Sequence, residues 1–455
     1  MDSQRGTFVF SRRRFLRAAA AAAVAVPAGY RTVRAQTTPW ATAPRAPKPA
    51  RLVFTSWKWG NRYEFILPRF ERDWGVPVDA QLSPPGPQQF DKPYALFAAG
   101  EQLDVVTDLL TDRAGMLAVG MLQPVTRMPG VEEYVKDFHD FTRDSLVVKG
   151  EVWGLPYFVE TWVPLYYEDK LARAGFTRPF TSWEELVDQA LKAKRDRVSE
   201  YPLLWPAGVG TEQLPGCWFG LTWNMGGTVF EPDGRPALGP GSAARKALEW
   251  WRRTFLEWRI SDPRSLELRF IPALKVFNTG DYLYHLISRE YYLSFANDKA
   301  QSPIAGRVRV AGLPGGRIIG AGHGYALSTA SRSPEWAWML LQAVGGREKN
   351  GQFTFPNYQL EHFMIGSGYR SVMTPQNYAE KTAKWVPKGN VDVILANYRQ
   401  ATSVLKVVPV MLERWYRNWI DEVNVEVQKC LRGEQSADAA CDRLTAAVEA
   451  TKRKA

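Results

Sequence analysis

Past Arg51 the apolar residues form short dense runs that alternate with longer segments carrying one apolar face. The run LVFTS predicts a first strand over Arg51–Ser56, and Trp57-Lys58-Trp59-Gly60 a turn after it. From Tyr63 to Trp74 the apolar residues Phe65/Ile66, Phe70 and Trp74 recur at helical spacing, and Gly75 supplies the stop. Val76-Pro77-Val78 opens the next strand, Phe90–Gly100 a second helix, Leu103–Asp108 a third strand and 112–122 another helix. Strand, helix, strand in that order begins a βαβ architecture.

The stretch Gly150–Glu185 carries the densest pattern. Trp153–Tyr157 is a short apolar run that Pro156 should hold at an edge or bend. Val163–Tyr167 is β-rich, and Lys170–Gly175 reads as a short helix stopped by glycine. Thr181 is expected to cap the following helix, with Glu184 three residues on closing a capping box. Further along, Asp233-Gly234 signals a tight turn, and Ser242 caps a helix faced by Ala244, Ala247/Leu248, Trp251 and Phe255. Val308–Pro314 predicts a strand, Gly320–Leu327 hairpin or hinge backbone, and Ser333-Pro334-Glu335 a helix start. Met411–Leu431 predicts a long amphipathic helix through Leu412, Trp415, Trp419, Val423 and Val427. Residues 36–50, rich in proline and alanine, read as a linker with no core to join.

Several of these blocks together resemble the family 1 extracellular solute-binding proteins of ABC importers, the maltose-binding-protein-like group. The similarity is carried by Gly150–Pro156, Leu165–Gly175 and Phe180–Leu186, then by Gly226-Gly227 through Asp233-Gly234. Glu168 stands where that family usually has asparagine, and Gly366–Arg370 lacks its proline. The resemblance covers nearly all of 51–450. It implies an α/β periplasmic-binding-protein type II fold, with two discontinuous lobes, a hinge and a ligand cleft between them. By that analogy the first lobe takes 51–157 and 315–368, and the second 158–314 and 369–455. It also implies capture of a mono- or oligosaccharide by hinge closure and delivery to the transmembrane subunits of an ABC permease.

Charge and composition narrow the function classes. The formal net charge of +11 falls to +5 without residues 1–35, where seven arginines meet a single aspartate. What is left is too modest and too scattered for nucleic-acid binding. Residues 1–35 themselves resemble a twin-arginine signal peptide: Arg12-Arg13-Arg14-Phe15-Leu16, an alanine-rich apolar run, and a small-residue cleavage site before Gln36. An exported, periplasmic monomer follows as the expectation. In that oxidising compartment Cys430 and Cys441, flanking a helix end and the next N-cap, could meet as a disulfide or stay as two buried thiols. Cys217 reads as a structural thiol.

Catalytic signatures are missing: there is no G-x-S-x-G, no phosphate-binding P-loop, no H-E-x-x-H and no Cys-x-x-Cys. No cofactor and no metal is expected. A cleft for sugars instead needs aromatic rings for the C–H faces and carboxylates or amides for hydroxyl pairs. Eighteen tryptophans offer many candidates. Trp57 and Trp59 follow the first strand directly, and Trp57 could equally cap the lobe core. Asp108 ends the third strand, as a hydroxyl acceptor or as a helix cap. Glu160 and Trp162 sit at the first hinge crossing the resemblance implies, and lead the candidates. Trp205 and Trp223 lie in second-lobe loops and read as cleft or core. Tyr282 and His323 complete the set. A polyamine, a glycerol phosphodiester or ferric iron are the alternative ligands. An exported carbohydrate-active enzyme would need two carboxylates across a cleft, for which Glu160 and Asp108 are the pair available.

Overall fold

The computed structural model describes residues 38–84, 91–300 and 302–454; the export segment expected over 1–35 lies outside them. The described strands are Leu52–Trp57 (β1), Val78–Ser83 (β2), Val105–Asp108 (β3), Leu122–Gln123 (β4), Val147–Val148 (β5) and Glu151–Val152 (β6). Then come Leu155–Tyr167 (β7), Leu203–Leu204 (β8), Tyr284–Arg289 (β9), Val308–Val310 (β10), Ile319–Ser328 (β11) and Thr402–Ser403 (β12). Apart from the small β5–β6 hairpin they form one sheet in the order β2-β1-β3-β11-β7-β9-β8. β4 and β12 also pair with β11, and β10 with β7.

Strand β7 organises this sheet. All thirteen of its residues are buried, as expected for a near-continuous apolar run covered on both faces. Its first half, Leu155–Thr161, pairs antiparallel with β11. From Trp162 onward it pairs instead with β9 and β10. The chain thus changes partners at Thr161/Trp162, and the sheet divides there into two halves.

Two prolines sit inside β7 without ending it. Proline has no N–H to give the ladder, and the register shifts at both places: by Pro156 opposite His323/Gly324, and between Val163 and Leu165 opposite β9. The edge or bend expected at Pro156 is therefore a bulge in a central strand.

Strand β11 corrects the expectation of hairpin or hinge backbone over Gly320–Leu327. It is a ten-residue buried strand. Its alternate glycines, Gly320, Gly322 and Gly324, lie against the helix Asp140–Leu146, and a Cβ on Gly322 would stand 3.1 Å from Ser145 Cβ and 3.2 Å from Thr142 Cα. Glycine here lets a helix approach the sheet closely, a use the spacing could not distinguish from a turn.

Helix starts follow the sequence with small shifts. Arg62–Trp74 buries Ile66, Leu67, Phe70 and Trp74, and Gly75, at φ 65°, returns its N–H to Glu71 O at 2.7 Å. The helix expected over 112–122 is Leu110–Ala118. The capping box lies one residue later than expected: Ser182 Oγ accepts Glu185 N–H at 3.1 Å, while Glu185 accepts from the backbone N–H and hydroxyl of Thr181. Glu185, three past Ser182, occupies the reciprocal position. The long helix starts at Tyr416 rather than Met411.

One further expectation is corrected, and another takes the second of its two readings. Residues 38–50 are no free linker: Trp40 packs edge-on to Tyr134 under Arg347, and Ala46 O accepts the indole N–H of Trp336 at 3.0 Å. Cys430 and Cys441 are buried free thiols rather than a disulfide, seated where the helices Tyr416–Leu431 and Ala437–Lys452 pack as a hairpin. Burial pushes both thiols up to about 12.

Candidate functional site

Where β7 changes partners, its side chains alternate across the sheet. Glu160 and Trp162 share one face and Thr161 takes the other. Trp162 Nε1–H donates to Glu160 Oε1 at 3.1 Å. Arg289, which ends β9 and pairs with Trp162 in register, brings Nε to 2.7 Å from the same carboxylate oxygen. Its guanidinium lies 4.6 Å from the Trp162 ring centre and 4.5 Å from that of Phe270. Burial opposes the charge on Arg289, but Glu160 and the groups around it hold its pKa above the ordinary arginine value. Two rings and a carboxylate thus clamp one buried cation.

On the opposite face, Glu290 Oε2 accepts the backbone N–H and the hydroxyl of Thr161 at 2.8 and 2.9 Å. Its Oε1 accepts the Tyr398 hydroxyl at 2.6 Å. Burial pushes this carboxyl up to about 7 against those hydrogen bonds. The crossing is therefore pinned from behind while Glu160 and Trp162 face forward.

In front of them lies a small cavity of about 20 Å³, lined by Glu160, Trp162, Glu212, His323, Met411 and Tyr416 among others. It shares Thr211, Met411 and Tyr416 with a larger cavity of about 280 Å³. The larger one is walled on one side by Tyr94, Thr111, Asp112 and Gly115, and on the other by Glu413, Arg414, Tyr416 and Arg417. Residues following β3 thus face residues at the start of the helix Tyr416–Leu431 across a common space, with the β7 crossing as its floor.

Three carboxylates serve this space. Glu212, half-buried, precedes the helix Gln213–Asn224; its carboxyl is pushed up to about 7 by burial first and by the nearby charge of Glu160 second. Asp112 is also raised, by burial, with Arg417 pulling the other way. Glu160 is the one with a buried counter-charge. His323 accepts Leu110 N–H on Nδ1 at 3.3 Å and lies tilted against the Phe158 ring, 4.4 Å between centres. Burial, then the charges of Arg113 and Arg289, hold its imidazole neutral with a pKa near 3, so Nε2 keeps the proton.

The expected site residues divide sharply. Glu160, Trp162 and His323 line the inner cavity. Trp59 is half-buried one layer away, against Phe158 and Tyr291. Trp57 is buried edge-on to Tyr157, which is its core-cap reading. Asp108 is fully buried in an ion pair with Arg113 at 2.7 Å and lines neither cavity, so it is out of a ligand's reach there and does not face Glu160 across a cleft. Trp205 is core, its indole N–H donated to Ser261 Oγ and its ring against Trp251. Tyr282 is buried and donates to Asp262. Trp223 lies under the Arg317 guanidinium at 4.0 Å, outside both cavities. Sequence reasoning passed over Glu212, Asp112, Arg289 and Tyr416. A signal existed for Glu212: the helix it precedes, QLPGCWFGLTWN, is apolar all round, so its N-terminal end is bound to be buried.

With this geometry in hand, the comparisons with known proteins are specific about family. The sequence profile described as bacterial extracellular solute-binding protein matches residues 61–350. A mannitol-binding protein of Pseudomonas aeruginosa is 26% identical over 207 residues, 45% of this chain and 46% of the relative. The chain spans about half the length of the curated relatives it matches. Among solved structures, maltose-bound MalE3 of T. maritima superposes with a TM-score of 0.70 at 20% identity, over 88% of this chain and 99% of that one. A ribitol-bound ABC transporter solute-binding protein of Agrobacterium radiobacter superposes with a TM-score of 0.69 at 22% identity, over 89% and 99%. The fold is accordingly that of the type II periplasmic binding proteins, a mixed α/β chain built on one sheet. The chain belongs to the bacterial extracellular solute-binding protein family, whose members bind solutes and are not enzymes.

Proposed function

We propose that this protein captures a single sugar or sugar alcohol outside the cytoplasm and delivers it to an ABC permease. The observation that carries the reading is that Glu160, Glu212 and Trp162 line a small inner cavity, Asp112 lines the larger one that adjoins it, and Tyr416 lines both. Carboxylates accept hydroxyl pairs, and rings cover C–H faces. Size favours a small ligand. About 280 Å³ is the liquid volume of about nine waters, the scale of one hexose or hexitol rather than of a long oligosaccharide. The mannitol-binding relative and the ribitol-bound neighbour support the same class.

In this reading residues 51–157 and 315–368 form the first lobe, and 158–314 and 369–455 the second. Thr402–Val407 reaches back onto β11 and the helix Asp140–Leu146. The lobes close on the ligand by bending at the β7 crossing. Twin-arginine export would deliver a monomer to the periplasm, and among the described residues no helix is long and apolar enough to cross a membrane.

The test is a thermal-shift and calorimetric screen with mannitol, ribitol, hexoses, maltose and maltotetraose. At a hundredfold excess over Kd the ligand adds about 2.7 kcal/mol to the folded state. A shift with single-unit sugars or polyols that is lost in Trp162→Ala, with circular dichroism unchanged, is the expected result. A folded protein that ignores every sugar and polyol, yet responds to a polyamine, a glycerol phosphodiester or ferric iron, would overturn the reading.

A further inference from the structure

Behind the β7 crossing, on the side away from the cleft, lies a further cavity of about 460 Å³. Three separate segments build it. His139 and Asp140 come from the start of the helix Asp140–Leu146, Arg370 and Thr374 from the loop after the Gly366–Val159 bridge, and Tyr398 and Arg399 from the helix Val391–Gln400. Its segments are tied together by the backbone: His139 N–H donates to Gly368 O at 3.0 Å and Arg370 N–H to Asp137 O at 2.8 Å.

The chemistry of the lining is cationic. Arg399 is exposed and makes no hydrogen bond or ion pair among the described residues. Arg370 gives one Nη2–H to Asp140 Oδ1 at 3.0 Å and keeps its other donors. Asp140 is the single carboxylate in the lining, and it is shared: its Oδ1 also lies 2.9 Å from Arg143 Nη1. His139 is more than nine-tenths buried, packed between Phe141 and Tyr398, and its Nε2 has no partner. The helix Pro375–Thr382 opens onto the same space through its N-cap Thr374. A buried imidazole nitrogen without a partner, two arginines with spare donors and a helix start all ask for negative charge.

We propose that this cavity is a binding site for a small tetrahedral oxyanion, with Arg370 and Arg399 as its fork donors and a His139 N–H as the inner one. The bound anion would complete the hydrogen bonding of His139 and offset the charge of the two arginines that line the cavity. Its position matters for the cleft. Tyr398, which walls the cavity, donates to Glu290, and Glu290 holds Thr161 between the two cleft residues Glu160 and Trp162. On the lobe division proposed above, an anion here would join a first-lobe segment, His139 and Asp140, to two second-lobe segments beside the crossing where the lobes bend.

The experiment uses the purified protein with inorganic phosphate and sulfate as probes, against chloride at matched ionic strength. Phosphorus NMR line broadening and calorimetry report binding directly, without relying on general salt stabilisation. Saturable phosphate binding is expected. It should weaken at least about tenfold in Arg399→Gln, whose side chain is exposed and carries no fold contact, and vanish in R370Q/R399Q. Both variants should keep the sugar or polyol response of the front cleft, so failure of the anion site and failure of the proposed function give different patterns. Phosphate broadening that is absent in the folded protein, or equal in the wild type and the double variant, would overturn the proposal.

Discussion

The Arg289–Glu160 pair gives the sharpest test of how the crossing is held. Both side chains are nearly inaccessible, 2% and 5% exposed, with Nε and Oε1 2.7 Å apart. Arg289→Met removes the cation and leaves the Glu160 carboxylate buried beside no counter-charge, a loss of about 3–5 kcal/mol. The two ring contacts, on Trp162 and Phe270, are worth about 1 kcal/mol each, and methionine keeps part of that through its sulfur. The single variant should therefore lose about 4 kcal/mol. Glu160→Leu alone strands the guanidinium and should cost a similar amount. The double variant R289M/E160L puts apolar groups of similar volume in place of both charges, and should return to within about 1–2 kcal/mol of the wild type. Urea unfolding of all four proteins without ligand gives the cycle. On these figures the coupling energy is about 6 kcal/mol, above the range of up to about 3 kcal/mol usual for residues in direct contact, because each single variant strands a buried charge. Ligand binding separates structure from function, because the stable double variant should still fail to bind sugar without the Glu160 carboxylate. If R289M costs less than about 1 kcal/mol, or the double variant loses the sum of the singles, then the buried pair is not what holds the crossing.

Two further perturbations follow from the packing. His285 is fully buried, stacked on Phe277, with both ring nitrogens unpartnered and its pKa pushed down to about 3 by burial and then by the charge of Arg289. Its folded pKa is below the unfolded value, so the stability it leaves intact at neutral pH is lost as pH falls below about 6.5. At pH 5 that loss is about 2 kcal/mol, and the advantage of His285→Phe over the wild type in urea unfolding should grow by this amount between pH 8 and pH 5. An advantage equal at both pH values would mean the imidazole is not titrating between the folded and unfolded states. Gly322→Val should cost about 1–3 kcal/mol, because its new carbons meet Thr142 and Ser145 of the helix on the sheet. Gly239→Ala, with open space around it, is the control and should unfold at nearly the wild-type urea concentration.

Much of the first half of the fold was legible because its signals are local. The strand at Leu52, the helix ending at Gly75 and the blocks on either side of Pro164 are each written within a dozen residues, and each appears in the structure close to where the pattern put it. The misplacements are equally local in cause. Thr181 and Ser182 are both good caps followed by a glutamate three residues on, and only the hydrogen bond to Glu185 decides between them. Alternate glycines in β11 serve turns and close-packed strands alike, until the helix that presses on them is known.

The site divides along the same line, and the division says what kind of site it is. Glu160 and Trp162 could be nominated because the family resemblance puts the first hinge crossing there, and the structure sets them two apart on the one strand that both halves of the sheet share. Trp205, Trp223, Tyr282 and Asp108 could not be rejected, since a buried ring or carboxylate has the same sequence signature as one facing a cleft. The residues that complete the space were beyond reach for a different reason. Asp112, Glu212, Arg289 and Tyr416 come from four separate segments, each isolated in its own stretch of sequence, and meet only where the two halves come together over β7. A catalytic centre can be held on one rigid element and leave a motif. On the proposed function, the cleft's opposing walls belong to bodies that move apart, so its contacts are spread over loops from each, and the crossing strand, common to both, is the part whose spacing stays visible in the chain.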